Sequence, residues 1–290
     1  MTADGKRVGV FGSRSFLAQH FIRHMTASDQ AAVIIPLDRP DFDLKRPDSL
    51  AAADFATMDY VVNFAAISAP VHDDFREVYE TNAYGQKNLL EALVAAGFSG
   101  RHLFVSTGYV YAPEEGRCSE TAKPDPGNHY GCSKLLAEVY CGWKRAQLDI
   151  VIARPFNCIG QGQGQNFLLP KLVAAYATKS PLLEVGNLDI ERDFVDARDA
   201  ARMFELALLE GERGATYNIS NSRTTSIREI LVLLSEISGH SPEVRSIAQF
   251  QRASDVLYQC GENTAIGHLG YNQRYTLKES LRWMLSRFAA

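Results

Sequence analysis

Tyr130 and Lys134, four positions apart in Tyr130-Gly131-Cys132-Ser133-Lys134, are the side chains of this 290-residue sequence best suited to move a proton. On a helix, residues at i and i+4 share one face. An ammonium beside a phenol lowers the phenol's pKa toward working pH, which makes it a usable general acid or base. The spacing recurs by chance in many proteins, so context has to support it. Here it stands 23 positions after Thr107, in a strand-like run that ends Ser106-Thr107. A hydroxyl at the carboxyl end of a parallel strand faces the crevice where ligands bind. Thr107 is then placed to hold a substrate oxygen while Tyr130 moves the proton.

A second constellation concerns phosphate. The first apolar run is followed by Gly12-Ser13-Arg14-Ser15-Phe16-Leu17-Ala18. A dinucleotide turn needs small residues so that the backbone bends, approaches a pyrophosphate and lets the helix pack on the sheet. Gly12 and Ala18 suit the first and third roles, and Ser15 stands where a second glycine is usual. The next run ends Leu37-Asp38-Arg39, 26 positions after Gly12 in the case of Asp38. A carboxylate there can accept both ribose hydroxyls of NAD. Arg39 and Arg14 argue the other way, because an arginine beside that site takes the 2′-phosphate of NADP, which Asp38 repels. NAD and NADP both stay open on these residues.

These residues need a frame. Val8–Phe11, Val33–Leu37, Tyr60–Ala66, Leu103–Ser106 and Ile150–Ala153 read as strands, apolar throughout. Between them lie helical patterns over Phe16–Met25, near 75–96 and near 130–146. Alternation of this kind predicts a doubly wound parallel sheet of Rossmann type, an α/β fold. In the second half, Gly160–Gln165 is a glycine-rich loop. Helices are expected over Phe167–Ala177, Asp196–Leu209, Ser226–Ser238 and Thr276–Phe288, with short strands at Leu183–Val185 and Tyr217–Ile219. Ser226 and Glu229 make a capping-box pattern. The expected division is a dinucleotide-binding domain over 1–165 and about 193–222, interleaved with a smaller C-terminal substrate domain over about 166–192 and 223–290.

Composition narrows the classes. Hydrophobic residues are 46% and charged residues 22%, ordinary for a globular chain. The net charge of −4 has no basic stripe, which argues against a nucleic-acid partner. No apolar run approaches the ~18–20 residues that span a bilayer, and the first residues lack a leader's apolar stretch, so no membrane association and a cytoplasmic location are expected. Five scattered cysteines without a CxxC pair read as reduced thiols. His20 and His24 lack a companion ligand, so no metal site is expected.

Taken in order, GSRSFLA, DFDL, NFAA, TNAYGQKNLLEAL, STGYVYA, YGCSK, RPFN, GNLDIERDFVDARDAAR, YNIS and RASDV resemble the extended short-chain dehydrogenase/reductase family, the NAD-dependent epimerase/dehydratases. The stretch from RPFN through GNLDIERDF to RASDV is most similar to the GDP-4-keto-6-deoxymannose reductases and GDP-mannose dehydratases. The resemblance implies a catalytic triad of Thr107, Tyr130 and Lys134, with Lys134 also on the nicotinamide ribose. It implies cofactor contacts from Gly12, Ser13, Arg14, Ser15, Phe16 and Leu17, then Asp38 and Arg39, and Asp43 and Leu44 at the adenine. Phe64, Ala65 and Ala66 would line the diphosphate, with Asn82 nearby and Pro155 and Phe156 near the nicotinamide. For a nucleotide-diphosphate sugar it implies Thr107, Asn157, Asn166, Phe167, Lys171, Arg192, Arg252 and Asp255, with Arg192 and Arg252 on the diphosphate.

Departures from the family pattern narrow the reaction. Dehydratases of this family carry an acid directly after the catalytic Thr, and here Gly108 and Tyr109 follow Thr107. The 3,5-epimerase/reductases use a Cys two positions after the hydroxyl, and here that position is Tyr109. The resemblance therefore implies NAD(P)-dependent reduction of a 4-keto-6-deoxyhexose linked to a nucleotide, with GDP first. The alternative is a 4-epimerase with retained NAD, ahead of a 4,6-dehydratase or an idle cofactor-binding protein. It also implies a homodimer: the helices near 75–96 and 130–146 carry apolar residues on more than one face, and in the family they pair across a twofold axis.

Overall fold

The computed structural model describes residues 5–27, 32–68, 74–112, 116–247 and 257–288. β1 (Arg7–Phe11) leads into α1 (Phe16–Thr26) and β2 (Val33–Leu37). α2 (Pro47–Leu50) and β3 (Tyr60–Asn63) follow. α3 (Phe75–Tyr79) continues through a π-turn (Glu80–Tyr84) into α4 (Gly85–Ala95). Next come β4 (Arg101–Val105), β5 (Arg117–Cys118), α5 (His129–Lys144), β6 (Asp149–Pro155) and β7 (Asn157–Ile159). The second half runs α6 (Leu168–Ala177), β8 (Leu182–Val185), β9 (Glu191–Asp196), α7 (Ala197–Glu210), β10 (Thr216–Ile219), β11 (Thr224–Ser226) and α8 (Ile227–Ser238). It ends with β12 (Glu243–Ser246), β13 (Tyr258–Gly261), α9 (Thr264–His268) and α10 (Leu277–Ser286).

Six strands form a parallel sheet in the order β10-β6-β4-β3-β1-β2. Successive strand residues point to opposite faces, and both faces are apolar. Val8 and Val10 pack with Phe21, Met25 and Phe204 beneath α1 and α7. Val61, Phe104 and Ile152 pack with Leu89, Leu93 and Ala137 beneath α4 and α5. Strand order reverses between β1 and β3, so their carboxyl ends open a crevice. A second sheet, β11-β9-β13-β5 with β7 beside β9, stands next to it. The third core lies among α6, α8 and α10, built on Leu172, Tyr176, Ile230, Leu234 and Leu281. Among the described residues, no helix is long and apolar enough to cross a membrane, and no His/Cys/Asp/Glu group is arranged for a metal.

Several elements differ from expectation for local reasons. The strand read as Tyr60–Ala66 ends at Asn63, whose Oδ1 accepts from the Ala65 N–H at 3.0 Å and turns the chain. The helix read near 75–96 contains the π-turn. Asp196 was expected inside a helix. It closes β9 instead and caps α7, accepting from the Arg198 N–H at 2.8 Å. β9 itself is not expected, because four of the six residues of ERDFVD are charged, yet it pairs with β7, β11 and β13. Both Ser226–Glu229 and Thr276–Glu279 form capping boxes.

One buried polar thread joins the sheet to α4. Asn63 Nδ2 donates to Gln86 Oε1 at 2.8 Å, Gln86 Nε2 donates to His102 Nε2 at 2.8 Å, and His102 Nδ1 donates to Val61 O at 2.9 Å. These partners assign the proton to Nδ1 and leave the ring neutral. Burial holds the His102 pKa down to about 4. Below pH 6.5 the unfolded chain takes up a proton that the folded chain refuses, so stability should fall with pH, by about 3 kcal/mol near pH 4. Urea unfolding between pH 7 and 4.5 should show a flatter dependence for His102→Gln than for the wild type; equal slopes would exclude His102 as the source.

Candidate active site

The crevice begins at Gly12. Its φ is +68°, and a Cβ there would stand 2.6 Å from Ala65 N, so glycine is needed both for the turn and for the approach to β3's loop. Asp38 braces the same turn: one carboxylate oxygen accepts from Ser13 N–H at 3.0 Å and the other from the Ser13 hydroxyl. Arg14 lies 3.6 Å from Asp38 and donates to Arg39 O at 3.0 Å. A cavity of about 240 Å³ is lined by Gly12, Arg14 and Ser15, by Asp38, Arg39, Asp43 and Leu44, and by Phe64, Ala65 and Ala66. These expected residues therefore share one pocket.

The residues fit a dinucleotide phosphate. Ser15 is the N-cap of α1, yet its side chain makes no cap bond, and its buried Oγ has no partner among the described residues. A free hydroxyl at a helix N-terminus is suited to an anionic oxygen. Phe16 and Leu17 begin α1. Phe16 stacks edge-on with His20, and Leu17 packs on the core beneath. Asn82 stands one step back from the pocket. It accepts from Ile67 N–H at 2.8 Å and donates to Ile67 O and to Ser133 Oγ, both at 3.0 Å, so its amide ties β3's loop to α5. Gly85, three residues on, lets α4 lie against Leu44, where a Cβ would meet the Leu44 Cβ at 2.9 Å.

Thr107 follows β4, and its Oγ1 accepts from the Tyr109 N–H at 3.2 Å. Asn128 caps α5 by accepting from Gly131 N–H at 2.8 Å. Gly131 sits so close to Tyr109 that a Cβ would fall 2.3 Å from its carbonyl oxygen. That contact seats the start of α5 on the Thr107 turn and sets the Thr107 hydroxyl near the Tyr130 phenol. Burial pushes the Tyr130 phenol up to about 12, against the opposing pull of the nearby Thr107 hydroxyl. This corrects the expectation that Lys134 acidifies it. Lys134 Nζ turns to the Val105 carbonyl at 2.6 Å, over the Phe104 ring, and burial lowers its own pKa to about 7.

A support beneath the triad escaped sequence reasoning. Arg154 donates to Glu138 through Nε at 2.9 Å and Nη2 at 2.6 Å. Ser106, beside Thr107, donates to Glu138 Oε1 at 2.5 Å. Arg154 Nη1 donates to Tyr111 Oη, which donates to Asn218 Oδ1, both at 2.8 Å. The available signal was spacing, since Tyr130, Lys134 and Glu138 stand at i, i+4 and i+8.

At the other wall Pro155 ends β6, and Phe156 is wedged between Gly108, Tyr111 and Gly261. Asn157 donates to Gln259 Oε1 at 3.3 Å, and Gln259 pairs across the sheet with Arg192. Arg192 Nη1 donates to Glu191 O at 2.9 Å. Phe167 precedes α6, Asn166 and Lys171 are exposed beside it, and Arg252 and Asp255 lie outside the described residues.

Residues 8–220 match the profile of the NAD dependent epimerase/dehydratase family. GDP-6-deoxy-D-mannose reductase of Pseudomonas aeruginosa is 33% identical over 97% of this chain and 96% of its own length. GDP-6-deoxy-D-talose 4-dehydrogenase of Aggregatibacter actinomycetemcomitans is 30% identical over 93% of each. Among solved structures, RMD from Pseudomonas aeruginosa complexed with NADPH is similar with a TM-score of 0.89 and 31% identity, covering 98% of this chain and 99% of that one.

Proposed function

This chain belongs to the NAD dependent epimerase/dehydratase family, and from that premise we propose that it is an NADPH-dependent reductase of a GDP-linked 4-keto-6-deoxyhexose. The observation that carries the reading is the buried Tyr130–Thr107 hydroxyl pair at the end of β4, with Gly108 and Tyr109 offering no carboxylate for dehydration. The substrate class rests on the relatives named for GDP-6-deoxy sugars.

Bound NADPH supplies the hydride that the ketone carbon receives. Tyr130, protonated because its pKa is raised, gives its proton to the ketone oxygen. Thr107 orients that oxygen by its hydroxyl. Lys134, one turn along the same helix, holds the Val105 carbonyl at the end of β4, and solvent returns the proton to the phenolate. Gly12 and the Ser15 hydroxyl receive the cofactor's diphosphate, while Asn157, Asn166, Phe167, Lys171 and Arg192 are the candidates for the substrate's.

Tyr130→Phe should lower the turnover of a GDP-4-keto-6-deoxyhexose by about 10²–10⁴ and leave NADPH affinity nearly intact. Arg192→Ala should raise KM more than it lowers kcat, because a diphosphate does not change charge during hydride transfer. Oxidised cofactor should accumulate one for one with the alcohol product. Turnover without net cofactor consumption would favour the 4-epimerase instead.

Cofactor preference follows from the first pocket. Asp38 is engaged by Ser13 and Arg14, so it braces the turn, and Arg14 and Arg39, which line the same pocket, are the groups that would take a 2′-phosphate. Arg39→Ala should cost about tenfold or more in kcat/KM for NADPH relative to NADH. Asp38→Ala should weaken both cofactors, because it loosens Ser13. An unchanged NADPH/NADH ratio in Arg39→Ala would remove that arginine from the cofactor site.

The same reading includes a homodimer. Val78, Leu89, Leu90 and Leu93 are buried, while Phe75 and Trp143, on α3 and α5, are 56% and 69% exposed, with Tyr84 and Val139 also exposed. Apolar surface of this kind marks an interface. Sedimentation at micromolar concentration should give a dimer, and Trp143→Glu should give a monomer; a wild-type monomer would refute the interface.

A further inference from the structure

A second cleft, of about 770 Å³, opens where α1, the start of α7 and the segment around α10 meet. Six arginines and two histidines line it, and no carboxylate does. The chain as a whole is net acidic, so this concentration of cations runs against the average. Of the lining residues, only Arg14 also lines the pocket beside Gly12.

The cations are partly prepared for a ligand. Arg198 lies with its guanidinium carbon 3.5 Å over the Tyr275 ring and 3.9 Å over that of Trp283. Asp196, buried beneath, takes its Nε at 2.9 Å and Nη2 at 2.7 Å, which leaves Nη1 to face other partners. Arg202 is held by the buried Asp199 at 3.3 Å and by Asn272 O at 3.0 Å. Asp38 is near Arg14, as described above. Arg23, Arg274 and Arg287 make no ion pair among the described residues. Three guanidinium charges are therefore left without a carboxylate in one concave space. Like charges so placed repel one another, and a multivalent anion removes that repulsion.

We propose that this cleft binds a multiply charged phosphate group, carried by a free diphosphate or by a nucleotide. Arginine's planar fork matches phosphate oxygens in pairs, and a guanidinium fixed by a carboxylate and two rings loses little freedom on binding. The volume falls in the ~300–1,000 Å³ range of small-molecule sites. Arg23 comes from α1 and Arg274 and Arg287 flank α10, so an occupant ties the dinucleotide-binding layer to the C-terminal layer.

Calorimetric titration of inorganic pyrophosphate, and separately of ATP, into the NADPH-loaded enzyme tests this. Pyrophosphate should bind the wild type, and Arg274→Ala with Arg287→Ala should weaken it at least tenfold. Arg192→Ala, in the substrate crevice, should leave it unchanged. Tighter binding of ATP identifies a nucleotide as the source, and tighter binding of pyrophosphate identifies the free anion. Both substituted side chains are exposed and in no ion pair among the described residues, so the melting temperature should hold; should it drop, Arg23→Ala repeats the measurement from another helix. The proposal is overturned if neither anion binds, if the cleft variants bind as the wild type does, or if Arg192→Ala abolishes the binding.

Discussion

Glu138 and Arg154 face each other at 7% and 6% side-chain exposure, and charges that deep hold only as a satisfied pair. The pair joins the middle of α5 to β6. Ser106 adds the end of β4, and Tyr111 with Asn218 adds β10. Four elements, β4, α5, β6 and β10, thus share one polar knot beside Thr107 and Tyr130. Removing one member of such a pair costs about 3–5 kcal/mol, because the other is left buried and alone. An apolar replacement could match the stability but would not dictate the separation of strand and helix. The hydroxyl pair at the site takes its geometry from this knot, and the glycine contact of Gly131 on Tyr109 lets α5 reach it.

The elements that carry the chemistry were largely legible from residue type and period. Val8–Phe11 and Val33–Leu37 are continuous apolar runs, and the turn after the first needs Gly12 on steric grounds that any reader of the sequence can state. Tyr130 and Lys134 announce themselves by spacing. What was not legible depends on contacts between distant segments. ERDFVD is a strand because β7, β11 and β13 surround it, not because of its own composition. The π-turn exists where Asn82 reaches both Ile67 and Ser133. Lys134 binds a carbonyl one strand away, so its influence on Tyr130 could not be inferred from i, i+4 geometry alone.

Two cavities of different make-up meet at Arg14. The turn at Gly12 presents small residues, backbone N–H groups and the unpartnered Ser15 hydroxyl. It gains strength from close approach, which only Gly12 permits. The second cleft relies on guanidinium groups held by buried carboxylates and aromatic faces. The first demands an exact backbone path and tolerates little substitution. The second spreads its charge over several long side chains from different elements.

The six-stranded sheet is completed by β10, which pairs with β6 although some 60 residues separate them in sequence, counted from Pro155 to Thr216. Most of that interval, including α6, β8 and β9, belongs to other layers. During synthesis at about 5–20 residues per second, β6 therefore waits roughly 3–12 s before its neighbour has been made. Until then it is an open edge, apolar and unpaired, and such edges recruit other strands. The buried arginine near the carboxyl end of that same strand, Arg154, blunts the hazard: a charge on a nascent edge discourages pairing between unfinished chains, and it is hidden only once Glu138, Tyr111 and Asn218 have closed around it. The ion pair that holds the finished site would thus also guard the growing chain on the ribosome.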